Sequence, residues 1–206
     1  MDVKAVSARL RGHGLGLFTP DDLAVLWPRW DRRLLLLQLH QWFRKGWVVR
    51  LRRGVYELAS PEPAGVPDFH VANRLYQPSY VSLEAALSHY QLLPDVAVQV
   101  TSITPKPTRR FLTPRGLFTY FTVRPKAFAG YRVTMLRDVS VRIADPEKAV
   151  VDRLYAGLRR GEPLELLSDR WDRRALRHLN RRKLLAYAGL FGPVTKLAGR
   201  VHALLR

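Results

Sequence analysis

Residues 44–58 read RKGWVVRLRRGVYEL, and this stretch decides the fold expected for the first part of the chain. Two short runs rich in β-branched and aromatic residues flank a tight turn at Gly54, which is typical of a β-hairpin. The hairpin follows a leucine-rich amphipathic segment, so it predicts the wing of a winged helix. Arg50, Arg52 and Arg53 are then placed to meet a phosphate backbone, and DNA binding is the first hypothesis.

The residues before the hairpin carry the start and stop signals of three helices. A first helix is expected at residues 3–11, before a glycine-rich turn. Thr19 supplies the N-cap and Pro20 the first position of a short second helix. Asp31 caps a third helix, which continues to Lys45. Three helices followed by a hairpin are the element order of a winged helix-turn-helix.

The third helix has two faces that differ in chemistry. At 100° per residue, the face expected to be buried carries Leu35, Leu36, Leu39, Trp42 and Phe43. The opposite face carries Arg33, Leu34, Leu37, Gln41, Arg44 and Lys45. Arginine and glutamine suit guanine and adenine edges in the major groove, and leucine can contact a thymine methyl group. An ordinary solvent-exposed face, or burial of the two leucines in a dimer or interdomain contact, is the alternative interpretation.

These patterns define the candidate DNA-binding residues of the first 60 positions. They are Arg32, Arg33, Leu37, Gln41, Arg44, Lys45, Arg50, Arg52 and Arg53.

Composition and charge favour a nucleic-acid partner. The chain has 206 residues, of which 47% are hydrophobic, so packed cores are expected. Lys and Arg number 35 against 17 Asp and Glu, which leaves a net charge of +18 and favours polyanions. A basic protein without such a ligand is the alternative.

Several function classes find no support in the composition. The absence of cysteine excludes disulfides, zinc fingers and thiol chemistry, and it fits a cytoplasmic protein. No apolar run, the four leucines at residues 34–37 included, is longer than five residues, which is too short to span a bilayer. The six histidines never recur at a metal-ligand spacing, so we expect no metal site. We also expect no cofactor and, from the short apolar runs, no membrane partner.

A proline-rich segment divides the chain. Residues 60–67 contain three prolines and one glycine, which cannot continue a helix or a central strand. We therefore predict a winged helix at 1–60, a linker at 61–67, a mixed α+β domain at 68–160 and a basic helical tail at 161–206. In the second domain, strands expected at 96–104, 106–111, 116–123 and 137–143 suggest a small antiparallel sheet. The fold class is α+β.

Two further basic groups suggest a second nucleic-acid surface. Lys106, Arg109 and Arg110 form a basic loop entering a strand. In a single helix, like charges would stack along one stripe formed by Arg170, Arg173, Arg174, Arg177 and Arg181. A bound polyanion would relieve this repulsion. A solvent-exposed loop and a solvent-exposed helix face are the alternatives.

Several segments, taken in order, resemble the AbiEi family of antitoxins from type IV toxin-antitoxin pairs, which act in abortive infection. They are residues 45–56 (KGWVVRLRRGVY), 72–75 (ANRL), 79–87 (SYVSLEAAL), 100–104 with 108–111, and 143–152 (IADPEKAVVD). The resemblance implies an N-terminal winged helix that binds operator DNA and represses its own operon, and a C-terminal domain that serves antitoxicity. It further implies a nucleotidyltransferase-like toxin that is opposed without a stable complex. Stand-alone regulators also occur in the family.

The strongest enzymatic alternative is a metal-dependent nuclease. Asp145, Glu147, Lys148 and Asp152 combine carboxylates with a lysine, as such sites do. Glu147 and Lys148 are adjacent, however, whereas an acid and a lysine on one face of a strand need one residue between them. A helix start explains the group better, with Asp145 as N-cap and Asp152 in a surface ion pair.

The sequence therefore predicts a non-enzymatic, DNA-binding transcription regulator, monomeric or dimeric, that is the autoregulating antitoxin of a type IV pair. A nuclease delivered by the winged helix, a stand-alone repressor and a module that sequesters a toxin are the alternatives.

Overall fold

The computed structural model describes residues 3–59, 65–94, 97–164, 171–192 and 195–204. These residues form an α+β fold, as the sequence predicts. Residues 61–64 of the predicted linker and Arg170 of the predicted stripe lie outside the described residues. Within the described part of the chain, no helix is long and apolar enough to cross a membrane.

The first unit, residues 3–59, consists of helices packed on a three-stranded antiparallel sheet. Its elements are α1 (Val3–Gly12), β1 (Leu17–Phe18), α2 (Pro20–Leu26), α3 (Arg32–Arg44), β2 (Val48–Arg52) and β3 (Val55–Leu58). The strand order is β1-β3-β2, so β3 is central. The short strand β1 was not predicted, because two residues carry no periodic signal.

The helix signals in this unit are confirmed. Thr19 accepts a hydrogen bond from the Asp22 backbone N–H, and the Asp22 carboxylate accepts one from the Thr19 backbone N–H, which is a capping box. Asp31 caps α3 through the Leu34 backbone N–H, at 2.7 Å. After α3, Gly46 has φ +68°, a conformation that glycine adopts without strain.

Burial on α3 is narrower than the sequence pattern predicts. Leu35, Leu39 and Trp42 lie in the core, with exposures of 3% or less. Leu36 and Phe43 were expected there, but 44% and 40% of their surfaces remain exposed. Both lie at the edge of the predicted apolar face, away from the side that carries Leu35, Leu39 and Trp42 into the core. The prediction that they are buried is wrong.

The second unit is built on a six-stranded sheet. Its elements are α4 (Asp68–Leu75), β4 (Tyr80–Val81), α5 (Leu83–His89), β5 (Val100–Thr104), β6 (Arg109–Thr113), β7 (Gly116–Thr122), β8 (Tyr131–Leu136), β9 (Val139–Ala144) and α6 (Pro146–Arg159). The strand order is β6-β7-β5-β4-β9-β8. Edge strands β6 and β8 therefore each leave one side unpaired within this sheet.

The sheet is mixed, so the predicted antiparallel sheet is wrong. β5 pairs with β7, and β4 with β9, in parallel. Strand direction depends on which strands become neighbours, and here β7 inserts between β5 and β6, which precede it in the chain. Strand β8 was not predicted from the sequence. In the structure it is joined to β9 by a tight hairpin turn, in which Arg137 and Asp138 both have positive φ.

The helices that the structure describes after residue 160 share the core of the second unit. They are α7 (Arg173–Arg177), α8 (Arg181–Gly189) and α9 (Thr195–Leu204). Leu176, Leu184, Leu197 and Val201 are buried in the same hydrophobic cluster as the six-stranded sheet. The region predicted as a tail is thus packed against α6 on its apolar side. The arginines of α7 and those at the start of α8 are exposed, whereas Arg200 on α9 is half-buried and donates to the Glu162 carbonyl.

Candidate nucleic-acid interface

One exposed stripe of α3 carries the side chains expected to read DNA. Arg33, Leu37, Gln41 and Arg44 recur at helical spacing, and all four are exposed, Leu37 by 51%. Arg33 and Arg44 form no ion pair with any other described residue. The helix is rigid on its other side because Trp42 and its neighbours fill the core. The stripe therefore presents two free cations, an amide and an apolar side chain on a fixed support.

The predicted hairpin is formed by β2 and β3 and carries its arginines as expected. Arg50 is exposed, and its guanidinium lies 5.4 Å from the ring centre of Phe43 on α3. Arg53 is exposed at the turn, where Gly54 has φ +81°. Lys45 lies over Trp47, 4.8 Å from the ring centre. Cation–π contacts thus hold two of the predicted cations beside α3.

Arg52 is held more tightly than its neighbours. Its Nη1 donates a hydrogen bond of 3.0 Å to the Arg53 carbonyl, and its guanidinium lies 5.9 Å from the ring centre of Phe111 on β6. Its Nε is buried and has no hydrogen-bond partner among the described residues. Arg52 therefore connects the hairpin to the second unit.

Arg32 begins α3 and forms an ion pair with Asp21, at 3.0 Å between Nη1 and Oδ1. The two side chains are 74% and 81% exposed. An ion pair this exposed contributes little to stability, so Arg32 can exchange Asp21 for a phosphate at small cost.

A cleft of about 720 Å³ lies between α3, the hairpin and the turn that joins β6 to β7. It is lined by Pro20, Arg32, Leu36, residues 50–54, Tyr56, Leu112 and Pro114. Four of these described lining residues are arginines and none is acidic. Leu36, Leu112 and Pro114 were not predicted as site residues, since their position depends on how the two units meet.

Arg115 fixes the β6–β7 turn against the first unit. Its guanidinium forms an ion pair with Glu57 on β3 and another with Asp68, at 2.8 Å. It also donates to the Val66 carbonyl, at 2.8 Å. A second inter-unit ion pair joins Arg74 on α4 to Asp22 on α2. The two units are therefore held by buried or half-buried charges as well as by apolar contact.

Burial shifts the titration of Glu57. Removal of the carboxyl from water raises its pKa, and the nearby Arg115 charge and hydrogen bond oppose that rise. The Glu57 side chain is 9% exposed, so the charge of its carboxylate is compensated by Arg115 and not by water.

The residues predicted for a second nucleic-acid surface lie in different places. Lys106 lies over Tyr76, 5.6 Å from the ring centre, in a cleft of about 520 Å³ that also contains Asp21 and Asp22. Arg109 and Arg110 are exposed on β6. The lining of that cleft combines three cations, Arg52, Arg74 and Lys106, with the two carboxylates.

The predicted single helix bearing Arg173, Arg174, Arg177 and Arg181 is wrong. Helix α7 ends at Arg177, and Asn180 caps the new helix α8 through the backbone N–H groups of residues 182 and 183. A side chain that satisfies free helix N–H groups ends one helix and starts the next. All four arginines are exposed, and Arg181 contacts the His202 ring at 3.3 Å.

The nuclease candidates occupy the core instead of a cleft. Lys148 and Asp152 are fully buried and form an ion pair. Asp152 also accepts hydrogen bonds from the hydroxyls of Ser82, at 2.8 Å, and Tyr80, at 3.1 Å. The expectation that Asp152 pairs on the surface is wrong, because α6 is covered by the sheet on one side and by α8 on another.

The remaining two carboxylates serve neighbouring helices. Asp145 is the N-cap residue of α6, as predicted, but its carboxylate accepts a hydrogen bond from the Tyr187 hydroxyl, at 2.7 Å, instead of capping the helix. Glu147 accepts from the Asn180 backbone N–H, at 3.0 Å. Burial and the Asp145 contact raise the pKa of Tyr187 to about 12. Among the described residues, no three His, Asp or Glu side chains are arranged to hold a metal ion.

Comparison with known proteins finds no family model that matches this chain and no curated protein that matches it. The resemblance to the AbiEi family stays a prediction.

Proposed function

We propose that this protein is a DNA-binding transcription regulator whose first unit is a winged helix-turn-helix. Helix α3 enters the major groove, with Arg33, Gln41 and Arg44 at base edges or the phosphates that frame them, and Leu37 against thymine methyl groups. Arg50, Arg52 and Arg53 bind the adjacent backbone, and Arg32 and Lys45 add charge at the two ends of α3.

The exposed stripe of α3 supports this proposal most strongly. Its polar and charged side chains are free of partners among the described residues, while Leu35, Leu39 and Trp42 on the opposite face of the same helix are buried in the core. A solvent-exposed face needs no particular order of side chains. This one combines two unpaired arginines with a glutamine and a 51% exposed leucine, beside a hairpin with three more arginines.

The physiological role that we propose is autoregulation in a type IV toxin-antitoxin pair. It rests on the ordered segments that resemble the AbiEi family, and it implies a nucleotidyltransferase-like toxin encoded nearby and opposed without a stable complex. A stand-alone repressor uses the same interface. The nuclease alternative is disfavoured because Lys148 and Asp152 are 0% exposed, and substrate phosphates cannot reach them.

Selection of duplexes from a randomised library by the full chain tests DNA binding. We expect one enriched motif, and we expect Gln41→Ala to relax it at one or two positions while Lys196→Ala, an exposed change on α9, leaves it intact. Equal retention of all duplexes, or retention of no duplex at all, would overturn the proposal. Incubation of the same complexes with Mg²⁺ or Mn²⁺ tests the nuclease alternative, for which metal-dependent cleavage is the expected result.

A further inference from the structure

The β6–β7 turn reaches the cleft from the second unit, outside the three helices and hairpin that the proposed function uses. Leu112 is 84% exposed, yet it lines the same cleft as Arg50, Arg52 and Arg53. Side chains alternate along a strand, so Arg110 lies on the same face of β6 as Leu112. The face that borders the cleft thus carries one cation and one exposed apolar side chain.

This wall of the cleft is fixed in place. Arg115, in the β6–β7 turn, bonds to Glu57, Asp68 and the Val66 carbonyl. From the other side, Arg52 lies over Phe111, the residue between Arg110 and Leu112. Contacts from both units therefore set the width of the cleft, and no mobile element is needed to form it.

The cleft adjoins the stripe that we assign to the major groove. Leu36 lines the cleft, and Leu37 belongs to the stripe. Consecutive helix residues point about 100° apart, so the two surfaces are neighbours on α3. A duplex seated on the stripe brings one of its phosphodiester strands to the mouth of the cleft.

We propose that the β6–β7 turn and the Arg110–Leu112 face of β6 form the second wall of a backbone clamp. One phosphodiester strand of the bound duplex lies between this wall and the hairpin, with arginines on its phosphates and Leu36 and Leu112 against its sugars. The clamp rests on the proposed function. It extends the footprint beyond the base pairs that α3 reads, and it makes the second unit a part of DNA binding.

Charge changes at Leu112 test the clamp without disturbing the fold, because this side chain is largely in water. We expect Leu112→Glu to weaken binding about fivefold and Leu112→Arg to tighten it by a similar factor. Leu112→Arg should also steepen the dependence of log K on log salt by about one. Both effects should appear when the duplex carries the selected motif with additional base pairs at each end. They should be smaller when the duplex contains the motif alone.

Val133 provides the matched control. It is 64% exposed on β8, the opposite edge strand of the same sheet, so Val133→Glu and Val133→Arg change net charge equally. We expect both to leave affinity within about twofold of the parent. Equal effects of the two positions would overturn the clamp while leaving the proposed function intact. If the parent protein shows no specific DNA binding, the proposed function and the clamp are overturned together.

Discussion

Arg115 binds the carboxylate of Glu57 across the boundary between the two sheets. Glu57 lies on the central strand of the first sheet, and Arg115 lies in the turn at the edge of the second. The ion pair therefore couples the stability of the hairpin to the position of the β6–β7 turn. Its loss is expected to loosen both.

Replacement of Arg115 by alanine should lower the free energy of unfolding by about 3 kcal/mol at neutral pH, because it leaves a buried carboxylate unpaired. Burial already raises the pKa of Glu57, and loss of Arg115 raises it further. The folded state then binds a proton that the unfolded state releases, so the deficit should shrink as pH falls through the folded pKa. Urea unfolding at pH 7 and pH 5 measures the stability difference between the parent and Arg115→Ala. The double variant Arg115→Ala/Glu57→Gln has no ionisable group at position 57, so it should lack this pH dependence.

The buried pair of Lys148 and Asp152 should tolerate joint replacement better than single replacement. Burial lowers the pKa of Lys148 and raises the pKa of Asp152, and each charge opposes the shift of the other. Lys148→Met leaves the buried Asp152 carboxylate without a counter-charge and should lower the free energy of unfolding by about 3–5 kcal/mol. Lys148→Met/Asp152→Leu should recover part of that loss in the same urea titration. Arg110→Met, at an exposed position, should change stability by less than about 0.5 kcal/mol. A double variant that is less stable to urea than Lys148→Met would contradict this account.

Glu162 should contribute stability only above the pH at which it ionises. Partial burial opposes its ionisation, but the hydrogen bond and charge of Arg153, at 2.7 Å, and the contact with Arg160 together lower its pKa from the ordinary 4.5. The contribution is therefore present above pH 4.5 and lost as pH falls through the lower folded pKa. We expect Glu162→Gln to cost about 0.5–1 kcal/mol at pH 7, and the two proteins to converge once the pH lies below the folded pKa of Glu162. Thermal unfolding across this range tests it, and a constant difference would argue against it.

Two glycines with open surroundings should respond in opposite directions. Gly54 has φ +81°, and a methyl group there meets no atom within 4 Å, so Gly54→Ala costs backbone strain alone, about 1 kcal/mol. Gly12 ends α1 without a positive φ and is equally open. Gly12→Ala should therefore stabilise by up to about 0.5 kcal/mol. Differential scanning calorimetry distinguishes the two, and equal shifts would contradict the strain argument.

Arg53 should contribute to affinity for every DNA sequence. Its side chain is exposed at the hairpin turn and unpaired among the described residues, so it can neutralise one phosphate. Arg53→Ala should weaken binding to specific and random duplexes alike and reduce the salt slope by about one. Fluorescence anisotropy at several salt concentrations measures both. An unchanged slope would remove the hairpin turn from the interface.

Local signals predicted the first unit well. Thr19, Asp31 and Gly46 act through backbone groups within a few residues of themselves, so their roles can be recognised without knowledge of distant contacts. The exposure of Arg33, Leu37, Gln41 and Arg44 follows from helical periodicity in the same way. Leu36 and Phe43 lie at the edge of the apolar face, where burial depends on what packs beside the helix.

Long-range pairing decided the second unit. The direction of β7 beside β5 and the break between α7 and α8 depend on neighbours that no short window reveals. Asp152 was expected in a surface ion pair, but it pairs with Lys148 inside the core, where two hydroxyl groups complete the hydrogen bonding. Sequence patterns detect amphipathic faces and cannot detect such compensation.

The hairpin of residues 44–58 shows the same contrast between local and long-range determinants. From the sequence alone, residues 44–58 determine a helix end, two strands and a turn with arginines, because propensity and turn geometry are local. Only the tertiary structure decides that Arg52 lies over Phe111, that Arg115 reaches Glu57, and that a basic cleft results. The physical reason is that these contacts join residues 58 or 59 positions apart, whose approach is set by the packing of two whole units.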